Sequence, residues 1–265
     1  MELLAGFPSW KIQHIPREKN TRADQIVNEA LDRKADVSWR PSKPTLAEWG
    51  GKRIRLGVLI SGGGRTLVNL QHQIQAGTLP AEVAVVICSR STVKGVDRAR
   101  ELGFSPVIVR RKDFEQLEDF SAKLAEVLDA AKVDLVVQAG WLCLWKIPPQ
   151  YEGKVMNIHP ALLPSFGGQG MWGHHVHEAV LKAGCKVSGC TVHFCNNEYD
   201  SGPIIVQRCC EVMDDDDADT LAERVFQQEC IAYPEAIRMF AQGRLKMVEG
   251  RVRRMETAAS EGDTV

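Results

Sequence analysis

An amide and an imidazole stand two positions apart in the run Asn157-Ile158-His159-Pro160, where an apolar segment ends. We expect this segment to be a buried strand. Because alternate strand residues share a face, Asn157 and His159 would then face one cleft. An amide can donate to a developing oxyanion, and an imidazole with a pKa of about 6.5 can exchange a proton near neutral pH. The pair is therefore a candidate catalytic centre, and the alternative is a hydrogen-bonded structural pair.

A carboxylate that could assist His159 is Asp200, in the polar run Glu198-Tyr199-Asp200-Ser201-Gly202-Pro203. An ionised carboxylate beside the imidazole would favour the imidazolium, raise the pKa of His159 and keep it a usable acid. Taken in isolation, an aspartate in such a turn is more simply expected to bind its own backbone.

A second candidate site is the run Ser61-Gly62-Gly63-Gly64-Arg65-Thr66, which lies between an apolar segment and apolar residues at helical spacing. Glycines let backbone amides approach an anion at a helix N-terminus, and the Arg65 guanidinium would add positive charge. This arrangement favours a phosphate-binding loop. However, the run lacks both the G-x-G-x-x-G spacing and the P-loop lysine, and a tight strand-to-helix turn would need glycine anyway.

Two groups of potential metal ligands do not have the spacing of a metal site. Three histidines fall within four residues, His174, His175 and His177, but no acidic or cysteine partner has suitable spacing. Three cysteines are evenly spaced from Cys185 to Cys195, without a C-x-x-C pair. We therefore expect no metal, and we expect the histidine run to begin a helix that lines a pocket.

The elements that must position these residues alternate between strands and helices. Apolar runs of strand length alternate with amphipathic patterns over residues 53–138, which is typical of a parallel sheet covered by helices. The later strands lie closer together, as in a sheet extension with antiparallel members. The predicted fold class is α/β, a Rossmann-like, mostly parallel sheet with helices on both faces, whose ligands sit at the strand carboxyl ends. The predicted strands are 54–60, 83–88, 107–109, 135–138, 155–159, 190–194 and 204–208, and the predicted helices follow Thr66 and span 93–102, 114–131 and 218–242.

The composition is that of an ordinary globular protein, with 265 residues of which 44% are hydrophobic and 25% are charged. A formal net charge of -1 gives no general attraction to nucleic acid or to an anionic membrane. No apolar run reaches the roughly 20 residues that span a bilayer, and the N-terminus lacks a signal-peptide pattern. The eight scattered cysteines are expected to be reduced thiols. We predict a cytoplasmic protein that binds neither nucleic acid nor membrane.

Several motifs, taken in order, resemble the phosphoribosylglycinamide formyltransferase family, whose members are folate-dependent formyltransferases. The similarity extends over about residues 53–247. It is carried by the glycine loop, the candidate catalytic strand and five further runs: Val58 to Gly64, Asn157 to Pro164, Phe166 to Gly173, His175 to Val180, Thr191 to Phe194, Asp200 to Ile205, and Gln228-Glu229.

The resemblance implies formyl transfer from the co-substrate 10-formyltetrahydrofolate to the amine of 5-phosphoribosylglycinamide, a step of purine biosynthesis, without a metal. By this resemblance, His159 would be the general acid and Asn157 would bind the carbonyl oxygen of the formyl group. Asp200 would raise the pKa of His159. Its partners would be two small molecules, glycinamide ribonucleotide and folate. A homodimer is compatible with the sequence, which does not fix the oligomeric state.

The resemblance further implies binding residues. The nucleotide substrate would be held by Gly62, Gly63, Gly64, Arg65, Thr66, Pro160 and Glu229. The folate would be held by Arg98, Leu142, Cys143, Leu144, Trp145, Asn157, Asn196, Asn197, Glu198, Tyr199 and Asp200. Three of these positions depart from the family pattern: Arg65 and Thr66 stand where small or amide residues are common, and Cys143 stands where arginine is common.

Residues 1–35 resemble the C-terminal end of ribonuclease H domains, through His14 to Asn20, Ala23-Asp24 and Asn28 to Leu31. That chemistry needs several carboxylates around paired metals, and only Asp24 matches, so we expect a fusion remnant that does not hydrolyse RNA. The expected organisation is this segment, a linker over 36–52, a catalytic domain over 53–248 and a mobile tail over 249–265.

Three alternative functions remain open from the sequence. A formyltetrahydrofolate hydrolase would use much the same centre with water as acceptor, although the phosphate loop speaks against it. A formyltransferase could act on another amine, such as a sugar amine or an aminoacyl-tRNA, although the net charge of -1 speaks against tRNA. A more distant alternative is a non-catalytic nucleic-acid-binding protein.

Overall fold

The computed structural model describes residues 53–255. The predicted ribonuclease H-like segment over 1–35, the predicted linker over 36–52 and residues 256–265 of the predicted tail lie outside the described residues.

Seven strands form one sheet, and a two-stranded hairpin follows it along the chain. The strands are β1 (Ile54–Ile60), β2 (Ala81–Cys88), β3 (Val107–Ile108), β4 (Leu135–Gln138), β5 (Val155–His159), β6 (Val187–Phe194), β7 (Ile204–Glu211), β8 (Leu245–Val248) and β9 (Arg251–Arg254). The helices are α1 (Arg65–Gln75), α2 (Lys94–Glu101), α3 (Leu117–Ala130), α4 (His174–Lys182) and α5 (Ala218–Ala241). Two 3₁₀ turns, Arg111–Asp113 and Pro149–Tyr151, lie between them. Every strand and helix predicted within residues 53–255 is present, with ends displaced by a few residues.

The main sheet has the strand order β3-β2-β1-β4-β5-β6-β7. Strands β1 to β5 are parallel to one another, whereas β6 and β7 are antiparallel additions beyond β5. The direction of the strand order reverses between β1 and β4. Strands β2 and β3 are added on one side of β1, and β4 and the later strands are added on its other side. Loops that leave the carboxyl ends of β1 and β4 therefore diverge and open a crevice, the usual ligand site of such sheets.

Apolar residues of the central strands face two separate cores, one on each side of the sheet. In β1, Val58 and Ile60 pack into a core with helices α1 and α5, while Leu59 between them packs into a core with α3. Burial on both faces explains why β1 is a nearly continuous apolar run, as expected of an inner parallel strand. The predicted α/β fold with helices on both faces is confirmed.

The hairpin of β8 and β9 corrects the predicted mobile tail, because residues 251–254 form a strand. Glu249 and Gly250 both have positive φ, of 51° and 73°, which a two-residue turn between antiparallel strands requires. Val252 of β9 packs against the larger core, and Arg254 donates two hydrogen bonds to the carbonyl of Ile205 in β7. These contacts attach the hairpin to the edge of the main sheet.

None of the helices described between residues 53 and 255 has the length and apolar character needed to cross a membrane.

Candidate functional site

A cleft of about 540 Å³ opens at the carboxyl ends of β1, β4 and β5. Its walls bring together residues that are far apart in the sequence, including the three predicted catalytic residues: Arg65, Thr66, Asn157, His159, Pro160, Asp200 and Glu229. The remaining wall comes from Gly140 to Leu142 after β4, from Gly168 to Gly173 before α4, and from α5. The cleft therefore lies at the switch point of the sheet, where the strand order predicts it.

His159 is buried at the base of this cleft, with an exposed fraction of 3%. Its Nε2 lies 2.8 Å from the backbone oxygen of Phe166. Because a carbonyl oxygen can only accept, Nε2 must carry the hydrogen and donate. The other ring nitrogen, Nδ1, lies 3.5 Å from Oδ2 of Asp200. A proton added to the neutral ring would therefore go to the nitrogen that faces the carboxylate.

Besides Nδ1 of His159, three groups lie around the carboxylate of Asp200. Oδ2 accepts a hydrogen bond of 2.9 Å from the backbone N–H of Gly168, and Oδ1 lies 3.4 Å from Nδ2 of Asn157. Oδ1 is also 3.7 Å from Nε2 of His193. Asp200 itself has a φ of 52°, so the turn presents its side chain from a left-handed backbone position.

The turn that carries Asp200 is fixed against the end of β6 by a glycine. A Cβ at Gly202 would lie 1.8 Å from the carbonyl oxygen of Phe194, so no other residue fits there without moving the backbone. Phe194 in turn donates its backbone N–H to Pro203, at 2.9 Å. This close approach places Asp200 beside the ends of β5 and β6.

Asn157 is oriented by His193, a residue that was not predicted to belong to the site. The two residues lie directly opposite each other in the antiparallel pairing of β5 and β6. Nδ1 of His193 lies 2.9 Å from the carbonyl oxygen of Phe194 and must donate to it, so Nε2 is free to accept from Nδ2 of Asn157 at 3.2 Å. The amide of Asn157 thus has its donor end directed toward the centre.

The electrostatics of the centre differ in one respect from the sequence-based prediction. Burial lowers the pKa of the His159 imidazole below its usual range, although Asp200 and the Phe166 carbonyl act in the opposite direction. Asp200 therefore acts on this pKa in the predicted direction, but the loss of water outweighs the carboxylate and the net change is downward. Burial would also raise the pKa of Asp200, but His193, His159 and the Gly168 N–H together hold it below its usual range.

The glycine loop closes the cleft at the start of α1. Gly64 has a φ of 70°, which favours glycine. A Cβ added at Gly64 would lie only 2.8 Å from the Cα of Gly95 in α2, so the close approach of the two segments also requires glycine here. Arg65 and Thr66 line the cleft where α1 begins, so the unpaired N–H groups of the helix N-terminus lie at this end. The guanidinium of Arg65 stacks 3.7 Å above the ring of Phe226 and pairs with Glu223 at 2.6 Å. The predicted binding residues Gly62, Gly63 and Gly64, in contrast, do not line the cleft.

Glu229 lies on the face of α5 that lines the cleft. Burial raises the pKa of its carboxyl to about 7, with Arg65 acting in the opposite direction.

His177 also lines the cleft, and its Nδ1 has no hydrogen-bond partner within residues 53–255. Burial, with smaller contributions from His174 and His159, lowers the pKa of His177 to about 4. His177 is thus uncharged at neutral pH, and Glu229 is uncharged over part of the neutral range.

A side pocket of about 60 Å³ shares Trp141, Asn157, Tyr199 and Asp200 with the main cleft. It collects most of the residues that were predicted to hold folate, namely Cys143, Leu144, Trp145, Asn196, Glu198, Tyr199 and Asp200. Leu142 lines the main cleft instead. Asn197 lines neither, and its side chain accepts a hydrogen bond of 2.9 Å from the backbone N–H of Ile147.

Arg98 does not lie with the other predicted folate residues. Its Nη1 donates to the carbonyl oxygen of Gly63 at 2.6 Å, on the side of the glycine loop that faces α2. It lines neither the main cleft nor the side pocket. Its position supports the loop that precedes α1 rather than a ligand in the side pocket.

Among residues 53–255, no group of three or more histidine, cysteine, aspartate or glutamate side chains is arranged to hold a metal ion. An imidazole, an amide donor and a carboxylate surround one point at the base of a cleft, an arrangement suited to stabilising an oxyanion and moving a proton.

The model of the formyl transferase family matches residues 54–237 of the chain. A trifunctional purine biosynthetic protein adenosine-3 from Drosophila melanogaster is 39% identical over 199 residues, which are 72% of this chain and only 14% of that protein. A chloroplastic phosphoribosylglycinamide formyltransferase from Arabidopsis thaliana is 34% identical over 76% of this chain and 70% of that protein. The crystal structure of glycinamide ribonucleotide transformylase 1 from Symbiobacterium toebii superposes with a TM-score of 0.72 at 40% identity, over 77% of this chain and 95% of that one.

Proposed function

The chain belongs to the formyl transferase family, and from this premise we propose that it transfers a formyl group from 10-formyltetrahydrofolate to the amine of 5-phosphoribosylglycinamide. The relatives named for this reaction include the Arabidopsis protein and the Symbiobacterium structure. The observation that carries the proposal is the grouping of Asn157, His159 and Asp200 at the base of a cleft that begins at a helix N-terminus. In this account the reaction is a step of purine biosynthesis.

In the proposed reaction the uncharged amine attacks the formyl carbon, and negative charge develops on the formyl oxygen. His159 and Asn157 donate to that oxygen. For His159, the formyl oxygen takes the place of the Phe166 carbonyl at Nε2. For Asn157, it takes the place of Oδ1 of Asp200, whose contact of 3.4 Å is long for a hydrogen bond and costs little to exchange.

Proton movement completes the transfer. The bond between the formyl carbon and N10 of the folate breaks, the attacking nitrogen loses a proton, and N10 gains one. His159 can supply or receive a proton at Nδ1, where Asp200 faces it. Charge on the formyl oxygen adds to that of Asp200 in favouring the imidazolium, and so acts against the effect of burial on the pKa of His159.

The two substrates are assigned to opposite ends of the cleft. We assign the substrate phosphate to Arg65, Thr66 and the N-terminus of α1, with Gly62, Gly63 and Gly64 shaping the loop. Glu229 on α5 is assigned to the ribose hydroxyls, and Pro160 to the wall between the phosphate and His159. The folate is assigned to the side pocket and its rim, through Leu142 to Trp145 and Asn196, Glu198, Tyr199 and Asp200.

We further propose a cytoplasmic enzyme that can form a homodimer and that binds neither nucleic acid nor membrane. All eight cysteines are free thiols, which fits a reducing compartment. The net charge of -1 gives no general drive toward nucleic acid. Cell fractionation, sedimentation analysis and a duplex-binding titration at moderate salt test these three points.

Absorbance-monitored conversion of 10-formyl folate to free folate, with and without glycinamide ribonucleotide, tests the proposed reaction. Turnover that requires the nucleotide supports the transferase. Turnover without it would contradict the proposal in favour of a hydrolase, and no turnover in either case would exclude both. The His159→Ala variant is the control for turnover by a contaminating enzyme.

A further inference from the structure

A further cavity, of about 260 Å³, lies between the last turns of α5 and the hairpin of β8 and β9. We call it the arginine pocket, and it is lined by Glu235, Arg238, Met239, Gln242, Arg244 and Arg254. None of these residues lines the cleft or the side pocket. Glu235 lies about 9 Å further along the axis of α5 than Glu229 of the cleft. The arginine pocket is therefore separate from the reaction site.

Three guanidinium groups line this pocket from three separate parts of the chain. Arg238 lies in the last turn of α5, Arg244 precedes β8, and Arg254 is the last residue of β9. The lining has one carboxylate, Glu235, which is 2.8 Å from Nη2 of Arg208 outside the pocket and 3.9 Å from Nη1 of Arg254. In the described part of the chain, no carboxylate lies within hydrogen-bond distance of the three lining arginines. The pocket therefore has an excess of positive charge.

The three arginine side chains are fixed by neutral acceptors. Each donates to the backbone carbonyl oxygen of a residue outside α5, at 3.3 Å for Arg238, 2.8 Å for Arg244 and 2.6 Å for Arg254. They therefore do not cap the last carbonyls of α5, a common role of arginine at a helix end. Nη2 of Arg238 and Nη2 of Arg244 donate to no acceptor within residues 53–255. Fixed guanidiniums with unused donors are preorganised to bind an anion.

An anion would stabilise Arg238 in particular. Burial lowers the pKa of its guanidinium, with Glu235 acting in the opposite direction and Arg208 adding to the decrease. A charge that has left water costs free energy when it is not paired, and a hydrogen-bonded anion offsets that cost.

The lining of the pocket favours a phosphate group over other anions. A phosphate group presents at least three acceptor oxygens, which matches guanidiniums from three elements, whereas a carboxylate presents only two. Met239 is the one apolar lining residue, and no aromatic ring lines the pocket to stack on a nucleobase. The volume is several times that of one water molecule, about 30 Å³, so it admits phosphate or pyrophosphate.

We propose that the arginine pocket is a second anion site, which binds a phosphate group through Arg238, Arg244 and Arg254. The bound group connects the end of α5 with the hairpin of β8 and β9. Its source is either an inorganic phosphate or a sugar phosphate whose sugar remains in solvent. The inference does not rest on the proposed function, because no residue of this pocket takes part in formyl transfer.

Isothermal titration with inorganic phosphate, pyrophosphate and ribose 5-phosphate, at constant ionic strength, tests the proposal. The double variant Arg244→Gln/Arg254→Gln should bind pyrophosphate about tenfold or more weakly at this site, because it loses two groups that donate charged hydrogen bonds. Its turnover should equal that of the native protein, which also shows that it folds. Arg65→Ala, which affects the cleft, should leave binding at the arginine pocket unchanged.

The matched control is Arg251→Gln/Arg253→Gln, which removes the same charge from exposed positions of β9. Strand alternation places these two side chains on the opposite face from Arg254, so affinity for pyrophosphate should stay native. Arg238→Lys keeps the charge but loses the planar fork, and it should also weaken binding.

Hydrogen exchange locates the site without any substitution in it. Pyrophosphate should slow the exchange of backbone amides in β8 and β9, in native protein and in Arg65→Ala alike, because it connects the hairpin with α5. Affinity for ribose 5-phosphate equal to that for phosphate would assign the organic source, and binding of inorganic anions alone would assign the inorganic one.

Three results would overturn the proposal. They are an absence of pyrophosphate binding by the native protein, native affinity in Arg244→Gln/Arg254→Gln, and binding that disappears in Arg65→Ala, which would place the anion in the cleft alone. Formyl transfer is measured separately, so none of these results bears on the proposed function.

Discussion

Two backbone carbonyls determine how His159 and His193 present their ring hydrogens. The Phe166 oxygen requires Nε2 of His159 to be a donor, and the Phe194 oxygen requires Nδ1 of His193 to be a donor. As a result, His159 presents Nδ1 to Asp200 and His193 presents an acceptor to Asn157. The surrounding chain therefore determines which nitrogen of His159 is protonated and how the Asn157 amide is oriented, and the three proposed catalytic residues do not do so alone.

Asp200→Asn should lower the pKa of His159 further. The carboxylate favours the imidazolium, and removing its charge leaves burial with less opposition, so the pKa moves further below about 6.5. An NMR titration of the imidazole, assigned by comparison with His159→Gln, measures the change. An unchanged or higher pKa in Asp200→Asn would show that the carboxylate does not act on His159.

The same depressed pKa affects stability. The pKa of His159 in the folded protein lies below the unfolded value of about 6.5. The contribution of neutral His159 to the free energy of unfolding is therefore fully present above about pH 6.5. It is lost as the pH falls through the folded pKa.

Asn157→Ala and His159→Ala should each reduce kcat by about a hundredfold or more. Each removes one donor to the developing oxyanion, and such donors contribute about 3 kcal/mol to transition-state stabilisation. Steady-state kinetics with both substrates measures the loss, with Arg251→Gln on the exposed side of β9 as the variant expected to behave like the native protein. Native rates in both alanine variants would remove these residues from the mechanism.

At the scale of single residues, the sequence predicted His159 and Asn157 from strand alternation, whereas the family resemblance was needed to bring in Asp200. His193 was missed as a site residue because its role depends on the register of β5 against β6, in which it lies opposite Asn157. No local pattern specifies an antiparallel register between segments so far apart. The net direction of the His159 pKa also required the structure, since burial cannot be read from neighbouring residues in sequence.

At the scale of elements, the turn between β6 and β7 determines the position of Asp200. Its backbone passes so close to Phe194 that position 202 accommodates only glycine. The turn is packed against the end of β6. This packing keeps the Asp200 carboxylate aligned with the His159 imidazole, as a preorganised site requires.

Gly202→Ala should therefore reduce both stability and activity. The added methyl would force the turn away from β6, at a cost of about 1 to 3 kcal/mol in unfolding free energy, and would carry Asp200 away from His159. Urea unfolding and kcat measure the two effects. Gly62→Ala, where an added Cβ meets no atom within 4 Å, is the matched control for stability. Native stability and rate in Gly202→Ala would contradict the proposed anchoring.

The elements themselves were predictable because their patterns are long and regular. Strand β1 is apolar at nearly every position and α3 is amphipathic over several turns, so both were found within a few residues of their ends. The hairpin of β8 and β9 was missed because each strand has four residues and the Glu249-Gly250 turn is not among the strongest turn signals.

At the scale of the whole molecule, the alternation of strands and helices was sufficient to predict the sheet, its helical faces and the edge that carries the site. The individual pockets at that edge were not predictable from the sequence. Their walls combine loops after β1, β2, β3, β4 and β5 with one face of α5, and only the folded chain shows which loops share a cavity.

Binding of the nucleotide should stabilise the described domain as a unit. At a hundred times the dissociation constant, glycinamide ribonucleotide should add about 2.7 kcal/mol to the unfolding free energy, because it binds only the folded cleft. For a domain of this size the gain corresponds to a rise in Tm of about 5 to 10 °C. Differential scanning calorimetry with native protein and Arg65→Ala, in which the rise should be smaller, measures it. Absence of any rise in the native protein would contradict the assignment of the cleft.

The most direct test of the proposed reaction follows the carbon atom itself. Purified protein is given 10-formyltetrahydrofolate with a ¹³C-labelled formyl group together with glycinamide ribonucleotide, and the nucleotide product is analysed by mass spectrometry. We expect a nucleotide heavier by one labelled formyl group, formed by native protein and not by His159→Ala. Release of the label as free formate, or label that stays on the folate, would contradict it.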